Sequence, residues 1–174
     1  MSCIVGIVEK DHVVIGGDSA ASIGTSITTI KDPKVFKVGS WLFGCAGSFR
    51  FMQLMKYSFK PPKLATKEIH RYLCTEFVTE IMNLCETGGI NKIENGKFGS
   101  MLIGYNNRLF ELDSDMQIME NINGISSIGS GSDIALGSLY TSIGVNAHQR
   151  CLKALEASDF YCTGVSKPFT ILRT

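Results

Sequence analysis

Three residues near the start of the chain, Ser2, Asp18 and Lys34, are of types that together could carry out acyl transfer. A serine hydroxyl is a poor nucleophile until a base takes its proton. Ser2 follows Met1 directly, so removal of Met1 would leave an α-amine beside the hydroxyl, with an unperturbed pKa of about 7.7–8.0. An ammonium close by lowers the pKa of that amine and favours alkoxide character at Oγ. A carboxylate next to the ammonium keeps it charged and in place. A chain that keeps Met1 lacks this base. Taken singly, each residue has an ordinary explanation: a fraying terminus, a turn residue after Gly16-Gly17, and a solvated lysine at a strand edge. Their spacing changes that. Positions 2, 18 and 34 are two equal steps of 16, each at the boundary of an expected strand. Hairpin-connected strands of such length return alternate ends to one sheet edge, which would let all three side chains converge.

Other candidate chemistry is weaker. Gly96-Lys97 imitates a phosphate loop, but six residues separate Gly89 from Gly96 where the motif needs four, and Phe98 stands where Ser or Thr would bind metal. The run Gly129-Ser130-Gly131-Ser132 could form an anion nest before a helix, yet Asp133 follows at once and would repel phosphate. A tight strand-to-helix turn fits it better. No GxSxG elbow is present, and His12 sits at an expected strand start, so a Ser-His-Asp arrangement has little support. The six cysteines Cys3, Cys45, Cys74, Cys85, Cys151 and Cys162 show no CxxC spacing, and His12, His70 and His148 are far apart. A structural zinc site is not expected. No metal or cofactor is called for.

The elements that must position the three residues follow from periodicity. Residues 4–8 and 12–17 are short β-branched apolar runs, continuous rather than alternating, as suits strands covered on both faces. Further strands are expected near 20–30 and 34–46, broken at Gly24-Thr25, Asp32-Pro33 and Gly39-Ser40. Ser48 can cap a helix running to about Phe59, stopped by Pro61-Pro62. Ile69, Leu73, Phe77, Ile81 and Leu84 form the stripe of a longer helix ended by Gly88-Gly89. Residues 90–98 read as a polar loop. Strands return at 99–106 and 108–113, joined by Asn106-Asn107, and again near 122–129. A helix opens at Ser132 or Asp133, another covers about 147–157, and the tail is extended. The order of strands, two helices, strands, two helices and a strand argues for α+β layers: two antiparallel sheets face to face, each flanked outside by a helix pair, in one domain of residues 1–174.

Composition narrows the function classes. A net charge of +1 with scattered Lys and Arg offers no field for nucleic acid or anionic lipid. Glu9, Lys10 and Asp11 interrupt the first apolar run too early for an export signal, and no stretch of 18 apolar residues could cross a membrane. The expectation is a cytoplasmic protein with reduced thiols. Hydrophobic content of 44% and a mean hydropathy of +0.13 hint at apolar surface covered in an oligomer.

The stretches MSCIVGIVEKDHVVIGGDSAAS, KDPKVFKV, GCAGS and ISSIGSGSDIALGSLYT resemble the β-type proteasome family, and within it the bacterial HslV peptidases. The similarity runs from Ser2 to the FTIL near the C-terminus. It implies the four-layer αββα sandwich of N-terminal-nucleophile hydrolases. By this resemblance the nucleophile, normally Thr, falls on Ser2, its partners on Asp18 and Lys34, and the oxyanion-donating glycine on Gly47. The supporting serine falls on Ser130 and a distal carboxylate on Asp159. Ser22 and Phe49 would border the substrate strand, and Cys45 would floor the specificity pocket. Serine in place of threonine removes the χ1 restraint of a β-branched nucleophile. Ala20 stands where the family commonly has a long polar residue.

The resemblance further implies an endopeptidase acting on polypeptides. It also implies a homo-oligomeric ring, hexameric or heptameric, single or stacked as a double ring, served by a separate ATPase unfoldase, since no ATPase motif occurs here. Two other readings stay open: a catalytically silent scaffold subunit and a small-molecule amidase of the same fold. A retained Met1 favours the scaffold. Asp18 and Lys34 together favour catalysis, because burying such a pair costs several kcal/mol of desolvation.

Overall fold

The computed structural model describes residues 1–23, 25–90 and 98–174. Most of the polar loop expected at 90–98, including Gly96-Lys97, and the Gly24 break lie outside the described residues. The first two apolar runs form a hairpin of β1 (Ile4–Glu9) and β2 (His12–Gly17), with Ile4 opposite Gly17 and Glu9 opposite His12. A separate two-stranded ribbon, β3 (Ala20–Ile23) with β4 (Ser26–Thr29), leads to β5 (Val35–Val38) and β6 (Trp41–Gly47). Ser48 caps α1 (Phe49–Tyr57) by accepting a bond from the Phe51 amide. The long helix starts as α2 (Ile69–Tyr72), passes through a π-helical turn at Leu73–Phe77 and continues as α3 (Val78–Thr87).

The strands β7 (Gly99–Tyr105) and β8 (Arg108–Leu112) are joined by Asn106 and Asn107, both at positive φ (45° and 60°). Two such residues in succession suit a two-residue hairpin, which Asn tolerates better than most residues. Next come β9 (Ile118–Met119) and β10 (Ile125–Ile128), then α4 (Ser132–Thr141), α5 (Ala147–Tyr161) and β11 (Thr170–Arg173). The short β9 has no counterpart in the sequence reading, and α5 runs four residues beyond the expected 157. The former is too short to show a period, and the latter continues through Ser158, Asp159 and the exposed Phe160 and Tyr161, which keep no stripe.

All strand pairings are antiparallel. One sheet has the order β10-β1-β2-β11 and the other β5-β6-β7-β8-β9. Three apolar layers hold the stack together. Between the sheets lie Ile4, Val13, Ile15, Val35, Leu42 and Leu102. Outside the first sheet, Val5, Ile7 and Val14 pack on Ala135, Leu139 and Leu155 of α4 and α5. Outside the second, Phe43, Met101 and Phe110 pack on Phe51, Leu73 and Ile81 of the other helices. Alternate residues of β1 and β2 thus enter different cores. This is the four-layer α+β sandwich, and it explains why the strands read as unbroken apolar runs.

The first sheet and α5 meet at Gly16. A Cβ there would collide with Cys151 Sγ and press on Leu155 Cδ1 at 3.0 Å. We predict that Gly16→Ala destabilises the fold by about 1–3 kcal/mol, as overpacking does. Adding Cys151→Ala should recover part of the loss in urea unfolding; a Gly16→Ala protein as stable as wild type would contradict this packing.

Candidate active site

The β1–β2 hairpin and the start of β5 bring the three spaced residues together. Ser2 precedes β1, Asp18 follows β2, and Lys34 precedes β5. All are buried, with exposures of 4%, 1% and 1%. Lys34 Nζ donates to Ser2 Oγ at 2.9 Å and to Asp18 Oδ1 at 2.8 Å. The carboxylate is held by backbone donors as well: the Cys3 amide reaches Oδ1 at 2.9 Å, while the Ala20 and Ser166 amides reach Oδ2 at 2.9 and 3.4 Å. Asp18 therefore ties the N-terminal strand, the β3 start and the segment before β11 to one carboxylate. Burial pushes the Lys34 ammonium below its usual pKa, and the Asp18 charge opposes that shift. Lys34 in turn is fixed by its backbone, whose carbonyl accepts from the Cys45 amide at 2.9 Å.

Ser130 lies on the other side of Ser2. The Ser2 amide donates to Ser130 Oγ at 3.2 Å, and Ser130 Oγ stands 3.3 Å from the Ser2 carbonyl oxygen. The Gly131 amide also donates to that carbonyl, at 3.2 Å. The backbone of Gly129 approaches so closely that a Cβ would collide with the Ser2 carbonyl oxygen. The Gly-Ser-Gly-Ser turn thus clasps the N-terminal segment.

With Met1 present, Ser2 Oγ donates to the Met1 carbonyl at 2.6 Å, and the Met1 amine donates to Ser22 Oγ at 3.2 Å. The α-amine is then one residue away from the hydroxyl that needs it. The same nitrogen that now donates as an amide to Ser130 would be the α-amine of a chain starting at Ser2.

A cleft of about 440 Å³ opens beside this network, lined by Ala46, Gly47, Ser48, Gly99, Ser100, Ser114 and Gly129. Its walls carry no side chain larger than serine. Gly47 ends β6 at a φ of +92°, and a Cβ there would meet Gly99 Cα at 3.0 Å. Glycine alone fits both demands. Phe49 sits at the start of α1 with 37% of its surface exposed. Cys45 does not line the cleft: it is buried in the core between the second sheet and its helices, where desolvation pushes its thiol far up.

Asp159 is half-buried on α5, and among the described residues no hydrogen bond joins it to Ser2. Its neighbour Ser158 does reach the site. Fully buried, it donates to the Gly131 carbonyl at 3.0 Å and lies 3.4 Å from Cys3 Sγ. Ser158 and Ser166 are the residues that sequence reasoning missed. Ser166 contributes through its backbone amide, which leaves no side-chain signal, and Ser158 was detectable only as a small polar residue on an otherwise apolar helix face. Among the described residues, no cluster of His, Cys, Asp or Glu could hold a metal, and no helix is long and apolar enough to cross a membrane.

No family model and no curated protein matches the sequence. Solved structures match its fold. The BPH protein of Thiobacillus denitrificans, in complex with epoxomicin, is 17% identical with a TM-score of 0.80, covering 99% of this chain and 97% of its own. HslV of Trypanosoma brucei is 18% identical with a TM-score of 0.71, covering 98% of each chain. Anbu (ancestral beta-subunit) of Yersinia bercovieri is 17% identical with a TM-score of 0.69, covering 99% of this chain and 81% of its own. The chain has the fold of the proteasome β/HslV-type proteins.

The geometry makes the buried pair a stability determinant. Removing one partner leaves the other charge unpaired in the interior, which costs about 3–5 kcal/mol. Asp18→Asn and Lys34→Met should each lose about that much in urea unfolding. The double substitution should lose clearly less than the sum, and strict additivity would show that the two residues are not coupled.

Proposed function

We propose that the chain is a peptide hydrolase whose nucleophile is Ser2, exposed as the N-terminal residue by removal of Met1. The observation that carries this reading is the buried Lys34 ammonium bridging Ser2 Oγ and Asp18. The fold shared with HslV and the other solved structures supports it.

In the proposed cycle the freed α-amine of Ser2 takes the Oγ proton as Oγ bonds to the scissile carbonyl carbon. The charge gathering on the carbonyl oxygen is met by the Gly47 N–H at the mouth of the cleft. The protonated amine then gives its proton to the leaving nitrogen as the C–N bond breaks, which leaves an ester on Ser2. Water, deprotonated by the same amine, hydrolyses the ester. Lys34 stays cationic throughout and stabilises the alkoxide, Asp18 holds Lys34, and Ser130 orients the Ser2 nitrogen. Ser22 and Phe49 border the substrate strand, and Ser158 supports the N-terminal segment from α5 through Gly131 and Cys3. Confinement in a closed homo-oligomeric ring in the cytoplasm, with a separate ATPase to unfold substrates, completes the reading.

A second reading, a silent scaffold subunit, has one observation in its favour. Met1, though exposed, donates its amine to Ser22 Oγ and accepts the Ser2 hydroxyl at its carbonyl.

Intact mass of untagged protein separates the two: loss of Met1 is expected for the hydrolase, and a retained Met1 on all chains contradicts it. On the processed protein, Lys34→Ala should lower turnover of fluorogenic peptides by roughly 10³-fold or more without changing the native mass. Gly47→Ala keeps the N–H but cannot hold it at a φ of +92° against Gly99, so the rate should fall as the donor is displaced. Turnover as active as wild type in Lys34→Ala would end the proposal.

The pH profile follows from the same groups. Activity should rise as the Ser2 amine loses its proton. It should fall again where Lys34 discharges, at a pH below the ordinary lysine value of 10.5, since burial lowers its pKa. A rate that stays flat to above that value would contradict a role for the Lys34 charge.

A further inference from the structure

Among the described residues, the strand β11 is an open edge of the first sheet, paired with β2 on one side only. Thr174 continues the ladder by donating its amide to the Val13 carbonyl at 3.0 Å. Antiparallel pairs alternate, so the Leu172 pair with Ile15 and the Thr170 pair with Gly17 are also of the hydrogen-bonded kind. The backbone N–H and C=O groups of Ile171 and Arg173 therefore face away from β2. Native proteins usually cover or charge such an edge.

Two adjoining cavities run along this edge, of about 740 and 640 Å³, with His148 and Ile171 common to both. The first has an apolar floor of Leu152, Phe169 and Ile171. The second contains His12, Lys37 and Arg173 with Glu9. The Glu9 carboxylate is already engaged, accepting from the Ala147 amide at 3.0 Å and lying 3.8 Å from His12. His12 also meets Asp11 at 2.9 Å, and Lys167 beside the first cavity lies 3.8 Å from Glu156. Lys37 and Arg173 are exposed, and neither has an acidic partner within salt-bridge distance among the described residues.

We propose that the β11 edge is a docking site for an extended, acidic and apolar segment of a partner protein, which adds to the sheet as a further strand. The main-chain groups of Ile171 and Arg173 supply the ladder, and side-chain pockets supply specificity, as in other strand additions. Ile171 and Arg173 are two residues apart and share one face of the strand. The incoming segment should therefore carry an apolar residue over Ile171, Leu152 and Phe169, and an acidic residue two positions away beside Arg173 and Lys37. The site lies at the sheet edge and does not involve Ser2, so it stands independently of the proposed hydrolase.

A fluorescein-labelled peptide STVTETVTS presents Val, Glu and Val on one face, and STVTKTVTS is its charge-reversed control. Fluorescence anisotropy should give saturable binding of the acidic peptide, weakened about fivefold or more in the control. Arg173→Glu should invert that preference. Ile171→Pro removes an outward N–H without breaking a bond to β2, and should abolish binding of both peptides while thermal unfolding and the far-ultraviolet spectrum show an intact fold. Equal affinity for the two peptides, or no saturation by the acidic one, overturns the proposal. So does a change of native mass in Arg173→Glu, which would assign the edge to a second copy of this chain.

Discussion

The structure turns on one buried charge pair. Taking Lys34 and Asp18 out of water is expensive, and their attraction offsets the loss only when each remaining lone pair and proton finds a partner. Asp18 gathers amides from Cys3, Ala20 and Ser166, and Lys34 spends a second of its three donors on Ser2 Oγ. Those amides belong to the lead into β1, the start of β3 and the segment before β11. The pair thus fixes where three chain segments cross. The two sheets meet face to face above it, and the resulting burial gives a single serine hydroxyl an ammonium neighbour.

Much of this was legible in the sequence because the strands are covered on both faces. Ile4 and Val5, or Val13 and Val14, enter different cores, so the runs read as continuous apolar blocks of strand length. Fixed strand length and tight hairpins then made the spacing of Ser2, Asp18 and Lys34 informative. Asn106-Asn107 marked its hairpin, and Ser48 its helix cap, by local chemistry alone. What stayed hidden was of another kind. A backbone amide such as that of Ser166 has no residue signature. Ser158, rather than the adjacent Asp159, hydrogen-bonds toward the N-terminal segment, and neighbouring residues on a helix point in different directions, which only the packing of α5 decides. The π-helical turn at Leu73–Phe77 leaves the apolar stripe close to its expected phase, so periodicity could not reveal it.

The molecule has two regions built on different physical terms. Around Ser2 every polar group is paired, the walls of the cleft are glycine, alanine and serine, and charge is confined. Along the outer side of β11 the backbone groups of Ile171 and Arg173 have no strand partner among the described residues, and the charge is open to solvent. The first arrangement suits chemistry on an extended backbone, where small walls admit a main chain and a pre-oriented amide can meet a developing charge. The second suits recognition. The two are joined through β2 and the segment before β11, since Thr170 pairs with Gly17 and the Ser166 amide donates to Asp18.

The central claim is that Ser2 itself bonds to the substrate. It is tested most directly by quenching processed protein in acid during turnover of a slow peptide ester and mapping the acyl group by mass spectrometry. An acyl ester on the hydroxyl of an N-terminal Ser2, absent when Ser2 is replaced by Ala, is the result the account predicts. An acyl group on another residue, or turnover that persists in Ser2→Ala, would contradict it.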